Sequence, residues 1–195
     1  MGDKTTPLGP GPVARKQHLR RLGPFGAFAT RVGARVTKKK NLGVFATIGR
    51  APRLFFFWLL YGGSMMPFGY LSRVETEMII LRVAYLRGSA YEADQHRALA
   101  AKVGVKDIDA LFQPDHGRTG RHGTLLDAAE QLVRDRGLTA DMAQRLRGLL
   151  SEREQVAFVM LVTNYDGLAT ALDVMGVPVD EPRSVSYTHL RAHET

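Results

Sequence analysis

The run Ser89-Ala90-Tyr91-Glu92-Ala93-Asp94-Gln95-His96 places a hydroxyl, a phenol, a carboxyl and an imidazole close together in the chain. On a helix, Glu92 and His96 are four apart and share a face, with Ser89 three residues before Glu92 on the same side. Glu77 precedes Ser89 by about three helical turns, and joins the group if its own segment packs alongside. A hydroxyl, two carboxyls and an imidazole converging in an apolar helical protein make a proton-transfer site. Histidine titrates near neutral pH, and a neighbouring carboxylate orients it and raises its basicity. Burial raises a carboxyl pKa toward the working range. Such a set suits enolisation, lactone chemistry, or decarboxylation through an enolate. Each residue also has an ordinary structural role open to it. Ser89 and Glu92 can form a helix capping box. His96 can be a core or interface histidine bonded to Glu92, and Glu77 can pair with Arg73 or Arg82. Tyr91 and Tyr165 can line a pocket or simply fill the core.

Other chemistries are poorly served. There is no cysteine, which excludes disulfides, thiolate metal sites and thiol catalysis and suits a cytosolic location. A metal centre needs third and fourth ligands, and His116 or His122 supplies one only by folding back from a loop, so no metal is expected. Neither G-x-x-x-x-G-K, nor G-x-G-x-x-G after a strand, nor G-x-S-x-G occurs, so no nucleotide cofactor or serine hydrolase is expected.

The elements that must position these residues read as helices. Four hydroxyl-x-x-acid signals precede apolar runs: Ser72 with Glu75, Ser89 with Glu92, Thr124 with Asp127, and Ser151 with Glu154. In each the hydroxyl accepts from an early N–H while the carboxylate reaches back. Gly88, Gly104, Gly137 and Gly176 stand where helices stop. Strand patterns lack alternation and hairpin turns. The segment Pro114–Gly123 reads as a loop separating the polar cluster from a C-terminal pair of helices. The run Leu54–Phe68 is the most membrane-like, but it is short of the roughly 20 residues of a span and contains Gly62, Gly63 and Pro67. It reads as a buried helix ending near the glycines. The expected class is all-α.

The net charge of +8 is unevenly placed. Residues 1–50 hold 11 Lys/Arg and one acid, while residues 51–195 hold 16 Lys/Arg and 18 acids. The basicity belongs to an N-terminal arm, with residues 1–21 expected to be disordered, rather than to a globular face, and nucleic acid is not the expected partner. No secretory leader is visible in the Pro/Gly/Arg-rich first 24 residues. At the other end, Val185–Thr195 (VSYTHLRAHET) resembles an in-frame translation of a sequencing-library adaptor. Residues 183–195 are therefore set aside as tail, which leaves the natural C-terminus open.

Glu77-Met-Ile-Ile-Leu-Arg-Val-Ala, then Ser89-Ala-Tyr-Glu92-x-x-x-His96, then Leu99-Ala-x-x-x-Gly104-Val105 resembles the carboxymuconolactone decarboxylase family, which shares its fold with alkyl hydroperoxidase D. Arg53-Leu54-Phe55 through Met66-Pro67-Phe68-Gly69 looks like the preceding helix and turn. Leu125-Leu126-Asp127-Ala128-Ala129 and Leu161-Val162-Thr163-Asn164-Tyr165 look like the C-terminal helices, so the resemblance extends over residues 22–182. It implies an all-α, alkyl hydroperoxidase D-like subunit, assembled into homo-trimers or hexamers with the site near a subunit interface. In the peroxidase branch two cysteines stand at positions matching Ser89 and Glu92, so the peroxiredoxin label attached to the family does not carry its thiol mechanism to this chain. The decarboxylase branch implies cofactor-free acid–base chemistry, a lyase or isomerase reaction on a small organic acid or lactone. Glu77, Glu92 and His96 would be catalytic there. Ser89, Tyr91, Arg82 and Tyr165 would bind or support, with Arg82 or Arg87 meeting an anionic substrate. The alternative is a non-catalytic oligomeric binding or structural protein of the same fold.

Overall fold

The computed structural model describes residues 43–180. The basic arm, most of the segment 22–50 and the adaptor-like tail lie outside the described residues. The described chain is helical, with no strand among its elements: α1 (Gly43–Ile48), α2 (Pro52–Met65), α3 (Arg73–Arg87), α4 (Ala90–Val103), a 3-10 turn (Ile108–Phe112), α5 (Gly120–Asp135), α6 (Ala140–Leu149) and α7 (Glu152–Val174).

Helix α3 is the axis. It packs against α4, α5, α7 and the 3-10 turn, and every residue from Glu75 to Ala84 is buried. A helix surrounded on all sides has no room for a polar face, which is why Met78-Ile79-Ile80-Leu81 reads as a continuous apolar run. Its ends are set locally. The Ser72 hydroxyl accepts from Glu75 N–H while the Glu75 carboxylate accepts from Ser72 N–H, a complete capping box. Gly88 closes the helix at φ 62°, a left-handed conformation that costs a Cβ-bearing residue most. Only Gly88 and Ser89 separate α3 from α4, so the two helices fold back side by side and bring Glu77 toward Glu92 and His96.

Several sequence expectations are corrected. The capping box expected at Thr124 is absent, because α5 already begins at Gly120 with Thr119 as its N-cap. Gly120–Gly123 are thus its first turn rather than loop, and Thr124 accepts a hydrogen bond from Arg145. A Cβ at position 123 would lie 2.5 Å from the Arg118 carbonyl oxygen, so Gly123 permits close packing at this start instead of marking a loop. Helix α6, capped by Thr139, was not anticipated. The left-handed residue ending α5 is Arg136, not Gly137. Helix α2 continues through both of its glycines to Met65. Only Phe55 of it is fully buried, and Leu54, Phe57 and Leu60 are 63%, 65% and 57% exposed. Arg82, expected to bind or support a substrate, is directed to partners within the fold. Fully buried, it is consumed by Glu130 and by the carbonyls of Leu111, Gln113 and Pro114, and so ties the 3-10 turn to α3. Among the described residues no helix is long and apolar enough to cross a membrane.

Candidate active site

Helix α4 contributes Glu92, Gln95, His96 and Leu99, residues at i, i+3, i+4 and i+7, to the wall of a cavity of about 270 Å³. This is the face that the spacing assigns to one side of a helix. Helix α2 contributes Trp58, Leu59, Gly62 and Gly63, and Met66 follows at its end; α1 contributes Val44 and Phe45; α7 contributes Asn164, Tyr165 and Leu168. A Cβ at Gly62 or Gly63 would meet nothing within 4 Å, so both glycines leave open volume on the cavity side of α2.

Behind the cavity runs a polar chain. Arg73, one turn before Glu77 on α3, donates to Glu77 Oε1. Glu77, wholly buried, holds His96 Nδ1 at 2.7 Å through Oε2. A carboxylate paired to an arginine only accepts, so Nδ1 is the ring nitrogen that donates to it, and in the neutral ring Nε2 keeps its lone pair. That Nε2 lies 3.5 Å from Glu92 Oε2. Burial pushes the Glu92 carboxyl up from its ordinary value of 4.5, with the charge on His96 pulling it part of the way back. Glu92 therefore keeps its proton to a higher pH than an exposed carboxyl does. Tyr165 stands edge-on to the His96 ring, with centroids 5.3 Å apart. Burial, then the charges of Glu92 and Glu77, keep its phenol neutral and well above the ordinary range.

The sequence grouped Glu77, Glu92 and His96 as one site, and the structure places them in contact. Ser89 is elsewhere. It is the N-cap of α4 and accepts from Glu92 N–H, and it is not among the residues lining the cavity. The box is half-made, because the Glu92 side chain turns to His96 instead of reaching back to the Ser89 N–H. Tyr91 lines the cavity but works as a strut. Its hydroxyl accepts from Val44 N–H at 3.0 Å and donates to Asp180 at 2.8 Å, while Asp180 also accepts from Gly43 N–H and Gln95 Nε2. Burial, reinforced by the Asp180 charge, pushes the Tyr91 phenol far up. The strut seats α1 over the cavity.

Sequence reasoning missed Gln95, Trp58 and Phe45. Gln95 carried a usable signal, since it falls three residues after Glu92 on the same helical face. Trp58 and Phe45 carried none, because nothing in the sequence says which face of α2 or α1 meets α4. Among the described residues no group of three or more His, Asp or Glu is placed to hold a metal ion.

Residues 52–111 match the model of the Carboxymuconolactone decarboxylase family. The match runs from the start of α2 to the 3-10 turn and so includes Glu77, Glu92, Gln95 and His96. No curated protein matches the chain.

Proposed function

For a chain that carries a carboxymuconolactone decarboxylase family domain, we propose cofactor-free acid–base catalysis on a small carbonyl compound, a lactone or its ring-opened relative. The observation that carries this reading is the His96 imidazole held between two carboxyl groups at the wall of a mostly apolar cavity. His96 Nε2 takes a proton from the carbon beside the carbonyl. The C–H electron pair moves through the new C=C bond onto the carbonyl oxygen, which takes the Glu92 proton. In a substrate whose enol is conjugated to a C=C bond, His96 returns its proton to the far carbon while the enol O–H proton goes back to Glu92, which restores the carbonyl and completes an isomerisation. With a β-carboxyl substituent the same set protonates the enolate left by loss of carbon dioxide. Glu77 steers the imidazole and balances its positive charge once protonated, and Arg73 holds Glu77.

A positioned acid–base group contributes about 10²–10⁴-fold. Deuterium exchange at the carbon beside a lactone carbonyl, followed by NMR in D₂O, should be accelerated by the protein and lose that factor in His96→Ala, with the helical circular dichroism unchanged. Exchange that survives the substitution sinks the mechanism.

We also propose that the subunit self-associates through α2. Leu54, Phe57 and Leu60 recur every three residues along one exposed side of that helix, away from the side that gives Leu59, Gly62 and Gly63 to the cavity. An apolar side of that kind marks an association surface.

A further inference from the structure

Beside His96 the fold leaves one donor unused, the Tyr165 phenol. Tyr165 is only 9% exposed, it lines the cavity, and its ring meets the His96 ring edge-on at 5.3 Å. Its hydroxyl makes no hydrogen bond among the described residues, yet its oxygen is not one of the side-chain atoms that the fold seals off without a partner. The surface that this oxygen keeps therefore opens on the cavity. Burial, then the charges of Glu92 and Glu77, keeps the phenol from ionising, so it meets a ligand as a donor and not as a base. Trp58 and Asn164 bring donors to the same cavity. Trp58 stands on α2 against the rings of Phe45 and Phe55, and Asn164, one residue before Tyr165, emerges about 100° away round α7. Tyr165 is the one whose ring rests on the imidazole. Glu92 faces His96 Nε2 at 3.5 Å. A carbonyl oxygen has two lone pairs, so the phenol and the Glu92 carboxyl can share it. A neutral phenol beside a protonated carboxyl is a pairing that stabilises enolates in apolar sites.

We propose that the Tyr165 hydroxyl is the hydrogen-bond donor for the substrate oxygen on which charge collects, which makes Tyr165 a further catalytic residue of the acid–base site. The role rests on that reading for the base. As His96 Nε2 takes the proton beside the carbonyl, the C–H electron pair forms the C=C bond and the C=O π pair moves to oxygen. Tyr165 donates to that oxygen and keeps its own proton; the proton that is transferred comes from Glu92 and returns to it. A donor aimed at developing charge acts more on the transition state than on the ground state. The same donor serves a neutral lactone or an anionic one, because it addresses the carbonyl oxygen common to both.

The probe is α-angelica lactone, a small lactone whose enol is conjugated to a C=C bond. Deuterium entry at its CH₂ group and its isomerisation are followed together by NMR in D₂O. Tyr165→Phe should lower kcat about a hundredfold, the usual loss for one donor of this kind, with KM nearly unchanged. The oxygen bonds to nothing within the fold, so the urea midpoint of the variant should not fall. Turnover lost in His96→Ala but preserved in Tyr165→Phe overturns the role of Tyr165 and leaves the base standing. A larger loss of kcat in Asn164→Ala than in Tyr165→Phe, or a lowered urea midpoint in Tyr165→Phe, overturns it too. A second readout needs no turnover. The anion 4-nitrophenolate should bind the native chain at least about tenfold tighter than Tyr165→Phe in titration calorimetry, the factor of one hydrogen bond to a charged oxygen. Nitrobenzene, which lacks that oxygen, should bind both alike. Lactone turnover that is absent from the native chain refutes the catalysis, and the phenolate then decides the donor by itself: equal affinity for the two proteins, or no binding to either, overturns it.

Discussion

Glu77 is the residue on which the most depends. It is buried to 0% exposure between a guanidinium and an imidazole, so removing its charge strands two groups at once. Breaking a buried pair from one side costs roughly 3–5 kcal/mol. Arg73 is 31% exposed and can turn to water, which places Glu77→Gln toward the low end. Urea unfolding should read a loss of about 3 kcal/mol, and a loss below about 1 kcal/mol would mean that Arg73 and His96 find other partners. Glutamine can also donate to Nδ1 and so favour the wrong imidazole tautomer, so the substitution should slow exchange even at temperatures where the variant is fully folded. Glu92 behaves oppositely. Its folded pKa lies above the ordinary 4.5, so its contribution to stability is complete below that value and is lost as pH rises through the folded pKa. Glu92→Gln cannot ionise. Its unfolding free energy relative to the native chain should therefore rise from pH 4 to pH 7, measured by urea melts at both. A relative fall over that interval would show Glu92 to be an ionised partner of His96 rather than a buried acid.

At the scale of elements, Ser89 illustrates how one residue can be read as chemistry while it does structure. It begins α4, and its hydroxyl takes the Glu92 N–H. Ser89→Ala should cost about 1 kcal/mol, the usual value of an N-cap, and leave ligand affinity in the cavity unchanged. A large fall in affinity at equal stability would return Ser89 to the site. The short-range signals were legible for a physical reason. Capping boxes at Ser72 and Ser151 and left-handed stops at Gly88 and Gly104 are complete within four or five residues, so the chain alone specifies them. Glu92 and His96 were legible on the same ground. The failures share the opposite property. Thr124 has the residue types of a cap, but the turn before it, packed close to the Arg118 carbonyl, takes the helix start upstream. Arg82 has the chemistry of an anion binder, and only the fold brings Glu130 and three loop carbonyls around it. The walls contributed by Phe45 and Trp58 depend on how α1 and α2 sit on α4, which is tertiary information.

For the whole molecule, the two sides of α2 have different consequences. One side forms a wall of the cavity through Trp58, Leu59, Gly62 and Gly63. The other leaves Leu54, Phe57 and Leu60 exposed, although the run containing them is the most apolar in the chain. Two glycines weaken such a helix by up to about 1 kcal/mol each relative to alanine, and among the described residues α2 packs mainly on the small α1 and the neighbouring cavity residues. A wall built this way gains rigidity if its outer side is covered by the same helix of another subunit, where burying one large aromatic contributes roughly 2 kcal/mol. Association and ligand binding are then coupled through one element, without any residue crossing into the cavity. Phe57→Asp places a charge in the centre of that contact, where interface residues of this kind cost about 2 kcal/mol or more. Sedimentation velocity should show the native chain as an oligomer and the variant shifted toward monomer, with association weakened at least about thirtyfold. Affinity for a neutral ligand should fall in the same variant although Phe57 does not line the cavity, and should recover as protein concentration restores the assembly. A native chain that sediments as a monomer at every concentration refutes the association. A variant that dissociates while binding ligand as well as the native chain refutes the coupling through α2.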